Sequence, residues 1–81
     1  MSKLPRDVKG GRFVRALERI GYRVVRQTSS HVRMKGGLGG EHPLTIPLHN
    51  PVKVGTLSSI LDGVAAETGM TREELIVTLD L

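Results

Sequence analysis

The residues best suited to chemistry in this sequence are His31 and the basic side chains near it, in and beside the stretch QTSSHVRMK. An imidazole can take up and release a proton near neutral pH, which is the work needed to remove a proton from a ribose 2′-hydroxyl. Arg26, Arg33 and Lys35 could hold a phosphate and offset charge that grows on its oxygens. The pattern suggests acid–base cleavage of a phosphodiester, but an ordinary surface histidine at a strand end has the same local sequence.

Two further side chains could assist His31. Ser30 precedes it directly, and its hydroxyl could orient a phosphate, although serine is also a common turn residue. His49, in PLHNP, lies just past the third predicted strand. It could face the same cleft or bond only to backbone in its loop, and spacing does not decide between these.

Other catalytic classes lack their characteristic residues. The chain has no cysteine, and therefore no thiol nucleophile, disulfide or thiolate metal site. There is no P-loop, and the glycines of GGLGG lie between two predicted strands, which favours a hairpin connection over a phosphate cradle. The three histidines form no helical i, i+4 pair and have no carboxylate at ligand spacing, so we expect no metal and no other cofactor.

Charge is unevenly distributed along the chain. Residues 1–35 contain ten Lys and Arg against two Asp and Glu, whereas residues 36–81 contain two against six. A basic half favours an anionic partner, and a nucleic-acid backbone would be bound in a salt-dependent way. The alternative is that the surplus charge only keeps a small protein soluble.

Length and composition indicate one small domain. With 81 residues and 38% hydrophobic residues, the chain predicts a single domain over residues 1–81 with one modest core. No apolar stretch approaches the ~18 residues that a membrane span needs, and MSKLPRDVKG lacks the hydrophobic centre of a signal peptide. We therefore expect a cytoplasmic protein with no membrane partner.

The stretch GGRFVRALERIG predicts a first helix, with Gly10 at its start and Gly21 at its end. Four apolar residues recur there at helical spacing: Phe13, Ala16, Leu17 and Ile20. Three arginines share the other side: Arg12, Arg15 and Arg19. They are expected to be a solvated face or, alternatively, to contact phosphates along an RNA minor groove.

Three strands are expected to follow as an antiparallel meander. YRVVRQ alternates imperfectly and is followed by the turn TSS. In HVRMK, period-two alternation puts His31, Arg33 and Lys35 on one face and the two apolar residues towards the core. PLTIP forms the third strand, with Leu44 and Ile46 directed inward.

Two helices complete the predicted order. TLSSILDGVAAETG is expected to begin at a cap formed by Thr56 or Gly55 and to end at Gly69. In MTREEL, Thr71 caps a short final helix and Glu74 is its capping-box partner. The order α-β-β-β-α with an extra C-terminal helix predicts an α+β domain, with helices against one face of a three-stranded antiparallel sheet. Double-stranded-RNA-binding domains have this order, which does not by itself define function.

Three segments closely resemble the HicA toxin family, which is also described as YcfA-like: LERIGYRVVRQTSSH, TIPLHNPVKVGTLSSIL and GMTREEL. The resemblance covers roughly residues 4–79. Its most specific parts are the serine–histidine pair after the first strand, Pro47 with His49, and the Gly-Thr-Leu that opens the second helix.

This resemblance implies a fold like the double-stranded-RNA-binding domain and the activity of a metal-independent mRNA endoribonuclease from a type II toxin–antitoxin pair. It also implies a HicB-like antitoxin partner that masks the active site. The family's catalytic histidine maps onto His31, but Ser29 stands where the family usually has glycine. A serine there must adopt an ordinary turn or accept strain. The expected RNA contacts are Arg26, Ser30, Arg33, Lys35 and His49.

Two readings from other functional classes stay open. The protein could be a non-catalytic RNA-binding module in which His31 is only a contact. It could also be a protein-interaction domain whose basic face recognises an acidic partner and never meets RNA. Replacing His31 with alanine discriminates among the three, because only the catalytic reading predicts loss of cleavage with folding and RNA binding retained.

Overall fold

The computed structural model describes residues 4–81, so Lys3 of the basic half lies outside the described residues. The elements are α1 (Gly10–Arg19), β1 (Arg23–Gln27), β2 (His31–Gly36), β3 (His42–Pro47), α2 (Val54–Thr68) and α3 (Arg72–Thr78). This order confirms the predicted α+β class, and it is consistent with a fold like the double-stranded-RNA-binding domain.

The strands form an antiparallel meander with β2 in the centre. Val32, Met34, Leu44 and Ile46 are buried on its inner face, as the alternation predicts. The opposite face, here called the open face, carries outward-directed residues of all three strands: Arg23, Arg26, His31, Arg33, Lys35, Pro43 and Thr45. None of the open-face residues belongs to the core cluster. The described helices therefore pack against the other face of the sheet and leave the open face uncovered.

One core cluster joins the helices to the inner face of the sheet. Phe13 and Leu17 of α1 and Leu57 and Leu61 of α2 are fully buried within it. Full burial of each such side chain is worth about 1.5–3 kcal/mol. The sheet is therefore held in place by its inner face alone, which leaves the open face available to a ligand.

The start of α1 depends on a close backbone contact at Gly10. A Cβ atom there would lie 2.7 Å from the carbonyl oxygen of Pro47, which is too close for any other residue without movement. The Gly10 N–H donates to the carbonyl of His49 at 3.0 Å. The helix thus begins against the chain that leaves β3. At its other end, Gly21 has a φ of 103°, as expected for a glycine that ends a helix.

Two of the three arginines on α1 have a role that the sequence did not predict. Arg12 donates to the carbonyl of Asp80 at 2.6 Å, and Arg19 donates to the carbonyl of Leu79 at 3.0 Å. They hold the segment that follows α3. Arg15 is exposed on α1, in the helical layer behind the sheet.

The start of α2 differs from the prediction. The helix begins at Val54 with Lys53 as N-cap, and no side chain caps it, so Thr56 and Gly55 are not caps. The preceding Val52 is buried, and its N–H donates to the Val8 carbonyl at 2.8 Å. This tertiary anchor, and not a local cap, positions the start of the helix.

The predicted ends near the C-terminus are confirmed. Gly69 ends α2 in the left-handed conformation with a φ of 75°. Thr71 and Glu74 form the expected capping box, in which each side chain accepts a hydrogen bond from the other residue's backbone N–H. These bonds hold the pKa of Glu74 below its usual value.

Candidate functional site

A β-bulge at Val25 places Arg26 on the open face. Arg23 pairs with Lys35, and after one further pair Arg26 pairs with Arg33, so Val25 has no cross-strand partner. Strict alternation from Arg23 would direct Arg26 towards the helices. The extra residue in the strand reverses this direction and re-aims the side chain. The bulge therefore sets Arg26 beside Arg33.

A pocket of about 350 Å³ lies on the open face. Its lining residues come from all three strands and the β1–β2 turn: Arg26, Thr28, His31, Arg33 and Thr45. Thr45 pairs with Arg33 across the sheet, which brings a hydroxyl from β3 to the pocket. Three of the predicted site residues, Arg26, His31 and Arg33, thus share one small concavity.

The β1–β2 turn fixes the position of His31. The N–H of Thr28 donates to the His31 carbonyl at 2.9 Å, and the N–H of His31 donates to the Thr28 hydroxyl at 3.1 Å. In addition, the carbonyl of Ser30 accepts a hydrogen bond from the Leu48 N–H at 2.8 Å. Because both sides of the turn are bonded, the histidine backbone is anchored where β2 begins.

The imidazole of His31 has a direct partner in Ser30. The Ser30 Oγ lies 2.9 Å from His31 Nδ1, and both residues are exposed. When Nδ1 carries the hydrogen and donates it to Oγ, Nε2 is left as an acceptor that can remove a proton. The hydroxyl that was predicted to orient a phosphate is thus also placed to orient the histidine.

Ser29 adopts an ordinary turn conformation. Within residues 4–81, a positive φ outside glycine occurs only at Asp7 and Asp80. The replacement of the family's usual glycine by Ser29 therefore introduces no left-handed strain beside His31.

The cations of the open face are arranged as like-charged pairs. Arg26 lies opposite Arg33, and Arg23 lies opposite Lys35. Of these four cations, Arg23 has an acidic partner, because it donates to the carboxylate of Glu41 at 3.1 Å. Arg23 also donates to a backbone carbonyl in the β2–β3 turn. No ion pair joins the other three cations to an acidic residue in the described part of the chain.

The other predicted contacts lie outside this pocket. Lys35 lies further along β2, where it lines an adjoining pocket that shares Arg26 and Arg33. His49 is exposed, and the contact the structure shows for it is its backbone carbonyl with the Gly10 N–H. The structure therefore groups Lys35 with the candidate site, whereas the His49 side chain is not among the residues that line either pocket.

His42, the third histidine, belongs to a structural contact. The Tyr22 hydroxyl lies 2.9 Å from His42 Nδ1, and the two rings meet edge-on with centroids 6.0 Å apart. Burial, and next the negative charge of Glu67, raise the pKa of the Tyr22 hydroxyl. This contact ties the chain before β1 to the start of β3, on the inner side of the sheet.

Sequence reasoning missed Thr28 and Thr45 as pocket residues. Thr45 alternates with the inward residues Leu44 and Ile46, so period-two alternation already predicts that it faces outward beside Arg33. Thr28 begins the TSS turn, but its hydrogen bonds to His31 depend on turn geometry that composition does not reveal.

Two features are absent from the described residues. Among residues 4–81, no three side chains of His, Asp or Glu come together in a way that could hold a metal ion. Within the same residues, no helix has the length and apolar character needed to cross a membrane.

Comparison with known protein families gives a match over most of the described chain. Residues 10–65 match the family described as the HicA toxin of bacterial toxin–antitoxin. The matched range runs from α1 through the sheet into α2, so it contains the whole pocket but not the GMTREEL segment. No curated protein and no solved structure matches the chain. Because the family match covers well over half of the sequence, this chain belongs to the HicA toxin family of bacterial toxin–antitoxin systems.

Proposed function

We propose that this protein is an mRNA endoribonuclease that needs no metal and in which His31 exchanges the proton with the ribose. The observation that carries the proposal is the exposed His31 imidazole in a pocket with Arg26 and Arg33. Family membership supports it, because HicA toxins are generally ribonucleases.

The proposed step is attack of a ribose 2′-oxygen on the adjacent phosphorus. His31 Nε2 takes the 2′-hydroxyl proton, the O2′–P bond forms and the P–O5′ bond breaks. The products are a 2′,3′-cyclic phosphate and a 5′-hydroxyl. Among the five lining residues, His31 is the one whose side-chain type commonly serves as a general acid or base. The proton that O5′ takes up therefore comes from the His31 imidazolium or from water.

The two arginines supply the electrostatic part of the proposal. Arg26 of β1 and Arg33 of β2 line the same pocket as the histidine, and neither forms an ion pair with a carboxylate within residues 4–81. Guanidinium groups donate paired hydrogen bonds to phosphate oxygens and remain charged at every relevant pH. They would hold the scissile phosphate and stabilise the extra negative charge of the transition state.

Membership of the family implies an antitoxin partner. We propose that the partner is a HicB-like protein whose acidic residues cover the open face, so that it competes with RNA for Arg26 and Arg33. The proposed substrate, mRNA, is in the bacterial cytoplasm, and the proposal places the protein there.

The proposed function is tested with purified His31→Ala protein and with growth after induction. Wild type is expected to cleave mRNA and arrest growth, whereas His31→Ala loses both and keeps its thermal unfolding profile and RNA affinity. Arg15→Ala is the control, because Arg15 is exposed on the helical layer behind the sheet. A His49→Ala variant tests the predicted RNA contact at His49. We expect His49→Ala to lose less cleavage activity than His31→Ala.

The same experiment separates the other two readings. If His31→Ala cleaves RNA at the wild-type rate, the histidine mechanism is wrong. If neither protein cleaves but both bind RNA in a salt-dependent way, the chain is an RNA-binding module. If neither wild type nor His31→Ala binds RNA, the result favours the reading in which the cations of the open face recognise an acidic protein partner.

A further inference from the structure

A second pocket of about 250 Å³ adjoins the first along the strands. It is lined by Val25, Arg26, Arg33, Met34, Lys35 and Pro43. Arg26 and Arg33 line both pockets, so the two concavities are neighbours on the open face. The cleavage step proposed above makes no use of the other four residues that line the second pocket.

The second pocket combines a cation with exposed apolar groups. Lys35 has no acidic partner in the described chain and can donate to a phosphate oxygen. Val25 is 48% exposed because the bulge leaves it without a cross-strand partner, and Pro43 is exposed opposite Lys35 on β3. A phosphate with an attached ribose has the matching chemistry, since one end is anionic and the other presents carbon atoms.

The distance between the pockets fits one step along an extended nucleic-acid strand. Arg33 and Lys35 are two residues apart on β2, and a strand advances about 7 Å over two residues. One extended nucleotide can span this length. At the far end, Arg23 is already bonded to Glu41, so the row of unpaired cations ends at Lys35.

The open face carries no Phe, Tyr or Trp side chain on which a base could stack. The two Phe and Tyr residues of the chain, Phe13 and Tyr22, are 0% and 3% exposed. Proteins that bind single strands through bases stack them on exposed aromatic side chains. The contacts proposed for the second pocket are to phosphate and sugar, and such contacts position a strand without reading its sequence.

We infer that the second pocket is a subsite for the nucleotide next to the scissile phosphate, and that it takes the phosphate and ribose of single-stranded RNA with little preference for the base. This inference rests on the proposed function for the first pocket. It adds Val25 and Pro43 as substrate contacts, assigns the expected contact at Lys35 to the second phosphate, and predicts that binding strengthens when that phosphate is present.

The subsite is tested with 2′-O-methyl oligonucleotides, which lack the 2′-hydroxyl proton and cannot be cleaved. Affinities are measured over a range of salt for a dinucleotide with one bridging phosphate and a trinucleotide with two. Wild type is expected to bind the trinucleotide several-fold more tightly, with a log–log salt slope steeper by about 0.7. Lys35→Ala is expected to bring the trinucleotide's affinity and slope down to the dinucleotide's values.

A second variant probes the apolar side of the pocket. Val25→Glu places a carboxylate beside Lys35 and is also expected to remove the trinucleotide's advantage. Arg15→Ala is the matched control for loss of one positive charge, and thermal unfolding of each variant confirms that it is folded. The readout is the ratio of the two affinities, which a general loss of stability would not change selectively.

Each contrary outcome has a separate meaning. If wild type binds both oligonucleotides equally, or if Lys35→Ala leaves the ratio unchanged, the second pocket is not a subsite. If Arg15→Ala removes the advantage instead, RNA lies on the helical layer and the inference is overturned. If wild type binds neither oligonucleotide, the failure lies with the proposed RNA site itself.

Discussion

Arg26 and Arg33 lie directly opposite each other on neighbouring antiparallel strands, and neither has an acidic partner in the described chain. Like charges at opposed positions destabilise a sheet by roughly 0.2–1 kcal/mol. The bulge at Val25 creates this pairing. An arrangement that costs stability in the free protein becomes favourable when a phosphate lies between the two guanidinium groups.

We therefore expect Arg26→Ala to weaken RNA binding while it changes the stability of the fold little. The free energy of unfolding should stay within about 1 kcal/mol of wild type, and should rise if the repulsion dominates. The log–log salt slope of RNA binding should fall by about 0.7, because one phosphate contact to a single strand is lost. Chemical denaturation and salt-dependent RNA titration measure the two effects.

Arg15→Ala is the control for this prediction, since it removes the same charge from the other side of the molecule. An equal loss of RNA affinity in both variants would show that only net charge matters and would contradict a specific role for Arg26.

A second prediction concerns Ser30. Because its hydroxyl lies 2.9 Å from His31 Nδ1, Ser30→Ala removes the group that orients the ring. A net hydrogen bond of about 0.5–1.5 kcal/mol corresponds to a loss of roughly 2–10-fold in kcat. KM should change little, and Ser30→Thr, which keeps a hydroxyl, should restore most of the rate. A higher KM with an unchanged kcat would instead assign Ser30 to phosphate binding.

A third prediction concerns the pair of Arg23 and Glu41. Glu41→Gln removes the negative charge that holds Arg23 and adds one available cation to the open face. We expect RNA affinity to increase a few-fold at low salt and the increase to disappear at high salt, where screening is strong. Stability should change by less than about 1 kcal/mol, because the pair is exposed. Unchanged RNA affinity at low salt in Glu41→Gln would mean that RNA does not reach this end of the open face.

A fourth prediction concerns alkaline pH. The pKa of Tyr22 is raised, chiefly by burial, so the folded state favours the neutral phenol. The stability that the neutral phenol gives to the folded state is fully present below tyrosine's ordinary pKa of ~10. It is lost as the pH rises through the higher pKa that Tyr22 has in the folded state. Denaturation at a series of pH values should show stability falling at alkaline pH. Tyr22→Phe should reduce the decrease in stability at alkaline pH. At neutral pH the same change should lower the free energy of unfolding by about 1 kcal/mol, because the hydrogen bond to His42 is lost.

The parts of the fold that local sequence determines were predicted correctly. The spacing of Phe13 and Leu17 predicts α1, and the alternation in HVRMK predicts that His31 and Arg33 share an outward face. The capping box at Thr71 depends on residues three apart, so it too is visible in the sequence. Each of these features follows from interactions within a few residues.

Features that depend on distant contacts were not predicted. The start of α2 follows from the anchor between Val52 and Val8, and the role of Arg19 follows from the position of Leu79. The bulge at Val25 also depends on contacts distant in sequence, because the extra residue is defined only by the pairing of β1 with β2. The grouping of His31 with basic residues was therefore predictable, but the means by which Arg26 reaches them was not.

The central claim is that His31 removes the proton of a ribose 2′-hydroxyl beside a phosphate held by Arg26 and Arg33. The most direct measurement uses a DNA strand that contains one ribonucleotide and identifies the ends of any product. We predict that wild type cleaves only at the phosphate 3′ to that ribose, leaving a 2′,3′-cyclic phosphate and a 5′-hydroxyl, and that His31→Ala leaves the strand intact. Cleavage of the strand by His31→Ala at the wild-type rate, or cleavage after 2′-O-methylation of the single ribose, would contradict the account.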